Sequence, residues 1–315
     1  MGKIVTVTLN PCMDKTITVK DLKIGGTNKV RNVKNNVSGK GINVSSVLQN
    51  LGIETVSAGF DYVGGGITVK ESLQKKGMKS CLIEVKQPLR TNIKIFDADH
   101  KIMTEFNECG NPVGEEQISL FMESLEEVIA GLEKDSLLVL AGSAPEGVPE
   151  DIYQTIIEMA EKYEVKTILD TSGKLLENGI IAKPFAIKPN IDEMETILGH
   201  NVDSLDDITA CVRKLLAAGI QYACVSLGGK GALFYSEAKA YYAEALSLEI
   251  KGVQGAGDSM VAGMCKAFME NKGEEDVLRY AMAAAAGSLT HEGTDLCEKE
   301  DFETMLPLVN IKEIR

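Results

Sequence analysis

The stretch GVQGAGDSMVAG (252–263) sets three small residues, Gly255, Ala256 and Gly257, directly before the acid Asp258. Apolar residues then recur at helical spacing (Met260, Val261, Met264, Cys265, Phe268, Met269), and the run stops at Asn271-Lys272-Gly273. The small residues therefore fall at a helix N-terminus, where unpaired N–H groups and the helix dipole favour an anion. The acid is either a chemical group or a helix cap. A second stretch, SGKGINVSSVLQNLG (38–52), places Lys40 between Gly39 and Gly41, before a helix opened by Asn43. A lysine among glycines at a helix start suits an anionic or hydroxylated ligand; the plain alternative is a loop lysine in water. The glycine spacing is not that of a Walker A loop. In KPNIDEMETILG (188–199), Lys188 and Asn190 end a strand, and Glu193 and Glu195 open a helix. Such acids either complement the dipole or organise a hydrated Mg²⁺. In SLGGKGALF (226–234) a strand runs into a glycine turn, either a simple hairpin or a place where a nucleotide lies against backbone.

The elements that must position these groups are legible from apolar patterning. IVTVTLN (4–10), LLVLAG (137–142), KTILD (166–170), FAIKPN (185–190) and ACVSLGG (223–229) read as short buried strands. Residues 115–133 carry Ile118, Phe121, Met122, Leu125, Val128 and Ile129 at helical spacing, and segments around Ile156 and Val212 behave similarly. Strands alternating with helices predict an α/β fold with a mostly parallel sheet covered on both faces. Ligands then bind at the carboxyl ends of the strands. Segments 13–37 and 89–106 are strand-like without helices, the second turning at Asp97–His100. They are expected to form a small β lid on a single domain spanning 1–315.

Composition narrows the function. The net charge of −13 over 315 residues disfavours a nucleic-acid partner. Seven cysteines without a C-x-x-C pair, and three dispersed histidines, predict neither a zinc site nor disulfides, as in a reducing cytoplasm. The N-terminus lacks a signal-peptide core, and no apolar run of about 20 residues predicts a membrane span.

In order along the chain, NPCMD (10–14), GKGINVSSVLQNLG (39–52), RTNIKI (90–95), GSAP (142–145), KPNIDE (188–193), SLGGKGA (226–232) and GAGDSMVAG (255–263) resemble the PfkB (ribokinase-like) carbohydrate kinases. The NP-x-x-D opening and the R-T-N-I-K run look most like the sugar-phosphate branch, which includes 1-phosphofructokinases and tagatose-6-phosphate kinases. The resemblance implies a three-layer α/β/α fold with a central, mostly parallel sheet and a β-sheet lid. It implies ATP-dependent phosphorylation of a ketose phosphate with Mg²⁺, fructose 1-phosphate ahead of tagatose 6-phosphate. Asp258 matches the general base, and the backbone of Gly255, Ala256 and Gly257 matches the anion hole. Asp14, Gly39, Lys40, Gly41 and Asn43 match sugar contacts. Arg90 matches the grip on the substrate's phosphate, with Asn92 and Lys29 nearby. Lys188, Asn190 and Glu193 resemble the region that orders Mg²⁺ and ATP phosphates; Ser226, Gly228, Gly229 and Gly231 resemble the nucleotide turn. Lids of this kind pair between subunits, so a homodimer is expected. Two departures stand out. Gly252-Val253-Gln254 lacks the family's Asp or Asn followed by Ser or Thr, which puts potassium activation in doubt, and YVGGG (62–66) lacks a second acid. A sugar-phosphate sensor on this fold needs no base, and a nucleoside brings no phosphate for Lys40 and Arg90 to hold.

Overall fold

The computed structural model describes residues 3–291 and 295–314. β1 (Ile4–Thr8) leads into β2 (Cys12–Val19), β3 (Asn32–Ser38) and α1 (Lys40–Asn50). β4 (Thr55–Tyr62), α2 (Val69–Lys75), β5 (Lys79–Val85), β6 (Thr91–Asp97) and β7 (Ile102–Asn107) follow. Helix and strand then alternate through α3 (Glu115–Ala130), β8 (Leu137–Ala141), α4 (Ile152–Lys162), β9 (Lys166–Asp170), α5 (Gly173–Ile181) and β10 (Ala186–Ile187). Next come α6 (Ile191–Leu198), α7 (Leu205–Ala217), β11 (Tyr222–Ser226), β12 (Ala232–Tyr235) and β13 (Ala240–Ala243). The described chain ends with α8 (Ala256–Met269), α9 (Glu274–Leu289), α10 (Lys299–Met305) and β14 (Ile311–Ile314).

The large sheet runs β14-β13-β12-β11-β10-β9-β8-β1-β4-β5. Its pairs from β5 to β11 are parallel and those from β11 to β14 antiparallel. β1 (IVTVT) and β8 (LLVLA) are buried throughout, as strands covered on both faces must be, and the β1 threonines are the only polar side chains in the pair. Alternate residues feed two cores. Val5, Val7, Leu138 and Leu140 pack with α3, α4 and α7 through residues such as Phe121, Ile156 and Val212. Ile4, Leu137 and Val139 pack with α1, α8, α9 and α10 through Val47, Val261, Leu278 and Phe302. The result is three layers, with the carboxyl ends of β1, β8, β9, β10 and β11 facing one side.

The small sheet, ordered β3-β2-β6-β7, lies apart from the large one. Its inner face is unusual. Where a sheet normally buries apolar side chains, this one buries Asp14, Thr16, Asn92 and Lys94. Register aligns them in two rows, Asn36–Asp14–Asn92–Asn107 and Lys34–Thr16–Lys94–Glu105. The apolar residues Ile17, Ile93 and Ile95 take the opposite face. The second lid segment turns at residues 98–101, one residue beyond its predicted start.

Two boundaries differ from expectation, and a third reading, left open between a cap and a chemical group, is narrowed. α1 begins at Lys40, three residues before Asn43, because Gly39 sits at its N-cap with φ +147°. Gly273 caps the start of α9; the left-handed turn after α8 falls on Asn271 (φ +52°). Asp258 is not a cap either: Gly255 holds the N-cap position of α8 with φ +70°, and Asp258 lies in the first helical turn.

Candidate active site

β1 and α1 meet where glycine is required. A Cβ on Gly41 would stand 2.4 Å from the Val7 carbonyl oxygen, and one on Gly39 would stand 2.6 Å from the Thr8 side chain. This close approach sets α1 against the carboxyl end of β1. Ser45 secures it, hydrogen bonding to Thr6, Thr55 and Ser57. Lys40 and Asn43 then project beyond the strand ends.

Asn43 Nδ2 donates to Asp258 Oδ2 at 2.7 Å. Asp258 is buried, and burial pushes its carboxyl pKa up to about 6, helped by the charge of Asp170 and opposed by Lys40, Asn43 and Lys188. Such a value suits a group that exchanges a proton near neutrality. The start of α8 is tied to α9: Ser259 Oγ donates to the Gly255 carbonyl at 2.7 Å and lies 2.6 Å from Ser288 Oγ. A Cβ on Gly257 would lie 3.7 Å from Lys188 Nζ, so that ammonium stands beside the small residues.

Asp170, at the end of β9, joins the two lysines. Its Oδ1 lies 3.2 Å from both Lys40 Nζ and Lys188 Nζ. Burial pushes this carboxyl up, but the two lysines outweigh it and hold it below its ordinary value. Asp170 in turn raises Lys40 above the usual lysine value. Glu193 lies 3.9 Å from Lys40. It also forms a capping box with Asn190 at the start of α6: Glu193 N donates to Asn190 Oδ1 at 2.8 Å, and Asn190 N to Glu193 Oε2 at 2.9 Å. Burial raises its carboxyl against the pull of Lys188 and Lys40. Ser226 bridges to Asn190, which places the β11 turn beside this cluster. In that turn a Cβ on Gly231 would lie 1.9 Å from the Ala243 carbonyl, whereas Gly228 and Gly229 face open space.

The lid supplies the opposite wall. Asp14 is buried and accepts from Lys94 Nζ at 2.8 Å and Asn92 Nδ2 at 3.2 Å. Cys12 Sγ lies 3.4 Å from Asp14, and burial raises that thiol to about 12. A cavity of about 430 Å³ is lined by Asp14, Lys40, Asn43, Arg90, Asn92 and Lys94, with Asn10, Asn107 and Ser143 at its margin. A second space of about 160 Å³ joins Asp14, Asn43 and Lys94 to Gly255 and Asp258. Arg90 is bonded through its guanidinium to the carbonyls of Asn10, Pro11 and Glu108, so its orientation is fixed by backbone.

Most of the anticipated residues thus converge, and others join them unannounced. The one local signal for Asp170 is its place as the acid ending the strand KTILD, and by itself that signal is ordinary. The one local signal for Lys94 is strand alternation, which puts it on the same face as Asn92, two residues before it. Of the anticipated sugar contacts, Lys29 and Gly41 lie outside the cavity lining, Gly41 being buried against β1. Among the described residues, no group of three or more His, Cys, Asp or Glu is arranged to hold a metal ion by itself, and all seven cysteines are free thiols. Among them too, no helix is long and apolar enough to cross a membrane.

This site belongs to a known class. The pfkB family carbohydrate kinase model matches residues 7–301, and the chain belongs to that family. It is 34% identical to a 1-phosphofructokinase of Borreliella burgdorferi over 99% of both chains. It is 28% identical to a tagatose-6-phosphate kinase of Staphylococcus epidermidis, covering 99% of this chain and all of the relative. The solved structure of Escherichia coli phosphofructokinase-2 in complex with potassium superposes with a TM-score of 0.90 at 25% identity, covering 98% of this chain and 99% of the other.

Proposed function

We propose that this chain transfers the γ-phosphoryl group of ATP to a hydroxyl of fructose 1-phosphate, giving fructose 1,6-bisphosphate, with 1–315 acting as one domain. The observation that carries the reading is the placement of Asp258. It is a buried acid raised to about 6, at the start of a helix with small residues, facing a lid that presents Asp14 and Lys94. Asp258 takes the proton of the attacking hydroxyl as the new O–P bond forms and ADP leaves; Asn43 keeps the carboxylate oriented. Such general-base help is worth about 10²–10⁴-fold. The N–H groups of Gly255, Ala256 and Gly257, with Lys188 beside them, face the charge on the transferring group. Gly39, Lys40, Asp14 and Asn92 hold the sugar, and Arg90 brings a fixed cation to its phosphate. Asn190, Ser226, Gly228, Gly229 and Gly231 bound the nucleotide.

The residues also fit Mg²⁺. Asp170 Oδ2 is buried without a hydrogen-bond partner, and Glu193 lies across Lys40 from it. These two acids would hold the ion largely through its water shell, and the ion would neutralise phosphate charge. The names of the relatives favour fructose 1-phosphate and keep tagatose 6-phosphate as the rival. The lid's apolar outer face supports a homodimer, and the free thiols accord with a cytoplasmic enzyme.

The test is ADP release with Mg-ATP across fructose 1-phosphate, tagatose 6-phosphate, fructose 6-phosphate and fructose. We expect kcat/KM to be highest for fructose 1-phosphate and lowest for unphosphorylated fructose. A preference for tagatose 6-phosphate would replace the substrate, and no turnover with any of them would sink the kinase reading.

A further inference from the structure

Gln254 stands immediately before the small residues of α8 and reaches across to the lid. Its Nε2 donates to Glu105 Oε1 at 2.8 Å, between residues 149 positions apart in the chain. The amide orientation follows from chemistry: the opposite flip would set a carbonyl oxygen against a carboxylate. Glu105 lies at the β7 edge of the row Lys34–Thr16–Lys94–Glu105. The other end of the same row is tied as well, since Lys34 Nζ lies 3.3 Å from Asp295 Oδ2. The middle of the row is Lys94, which holds Asp14 at 2.8 Å. One cross-strand row of the lid is therefore fastened to the body at both edges, with the cavity beneath its centre. Glu105 lines the larger cavity, and Gln254 lines the smaller one with Asp14 and Asp258.

We propose that Gln254 is a positioning residue: by bridging to Glu105 it latches the lid over the site and sets the distance between Asp14 on the lid and Asp258 on the body. It deepens the proposed sugar-phosphate reading and rests on it for the identity of the substrate alone. An aliphatic side chain at this position would have no donor for the Glu105 carboxylate. The latch makes a closed lid the resting state, so an arriving substrate does not first have to draw the lid down. If only a fraction of molecules is closed, apparent affinity falls by that fraction while saturated turnover is retained.

The tests are hydrogen exchange on the free protein and steady-state kinetics. Gln254→Leu should speed exchange of the β7 amides (102–107) while leaving β8 unchanged. It should raise the KM for the sugar phosphate about tenfold, as loss of one hydrogen bond to a charged group implies, with kcat and the KM for ATP within about twofold of wild type. Gln254→Glu should do the same through repulsion from Glu105. The exchanged pair, Glu105→Gln with Gln254→Glu, re-forms the bridge in reverse and should restore β7 protection. Unchanged β7 exchange in Gln254→Leu, or no restoration in the exchanged pair, would overturn the latch. So would a fall in kcat with KM unchanged, which would place Gln254 at the reacting atoms. The exchange measurement needs no substrate, so it reads the latch even if the ketose-phosphate assignment fails, and wild-type turnover reads that assignment separately.

Discussion

At the scale of single residues, the site rests on how few charges share one buried space. Asp170 lies between Lys40 and Lys188, and burial, with the charge of Asp170, pushes the Asp258 carboxyl up to about 6 against the pull of the two lysines. Two consequences have opposite signs. As a base, Asp258 works when ionised, so kcat/KM should rise about tenfold per pH unit below about 6 and level off above it. For stability, the folded state holds this proton more tightly than the unfolded chain does. Its contribution is therefore complete below the ordinary carboxylate value of 3.8 and lost as pH rises through about 6. Asp258→Asn should cut kcat by about 10² or more with little change in KM, and should flatten that limb of the melting-temperature profile. Near-normal turnover in this variant would leave Asp258 a structural group. The residues quoted from motifs were legible because each sits in a short run with unusual glycine or polar spacing. Asp170 and Lys94 were not, because an acid in KTILD and a lysine in RTNIKI look ordinary until folding brings β9 and β6 to the same cavity.

At the scale of elements, the chemistry depends on two helices set closer to their neighbours than ordinary side chains allow. α8 crosses α9 at Gly263, where a Cβ would lie 2.3 Å from the Tyr280 carbonyl oxygen and 2.8 Å from the Ala281 Cα. Backbone, unlike a flexible side-chain tip, cannot step aside cheaply. Gly263→Ala should destabilise the protein by about 1–3 kcal/mol, measured by denaturant unfolding, and should lower kcat because α8 carries Asp258. An unchanged midpoint would mean that the two helices separate without cost. The parallel centre of the sheet was readable from its short strands rich in Val, Ile and Leu. β4, β5, β13 and β14 were not, for different reasons, whereas the β11–β12 hairpin was one of two readings of SLGGKGALF. β5 is half-buried and of mixed character, and β4 carries Gly59 and Asp61 within its run. β14 pairs with β13 from the far end of the chain, a register no local pattern encodes. The lid's two segments were visible as strands without helices, yet their inverted face was not. Alternation puts Asn92 and Lys94 on one side, and only the pairing adds Asp14 to it.

At the scale of the whole molecule, that inversion leaves an apolar surface facing away from the site. Register places Val33, Ile17, Ile95 and Thr104 in one row, and Asn35, Lys15, Ile93 and Phe106 in the next. Val33 is 44% exposed and Phe106 57% exposed, among the largest apolar side chains left in water. A largely apolar face on a sheet is the kind of surface that another protein covers, and the homodimer proposed above would set a second copy of the lid against it. The whole chain carries −13, so two copies repel at long range and association should tighten as salt is raised from about 0.05 to 0.5 M. Sedimentation equilibrium should give twice the chain mass for the wild type. Phe106→Glu, which puts two carboxylates into the joint, should give the chain mass. The lid's inner row is not altered by that change, so the monomeric variant should keep the Gln254–Glu105 bridge and its β7 protection near the wild-type level. A variant that stays dimeric would move the interface off the lid. One that dissociates and also loses β7 protection would show that the partner subunit, and not the latch alone, holds the lid down.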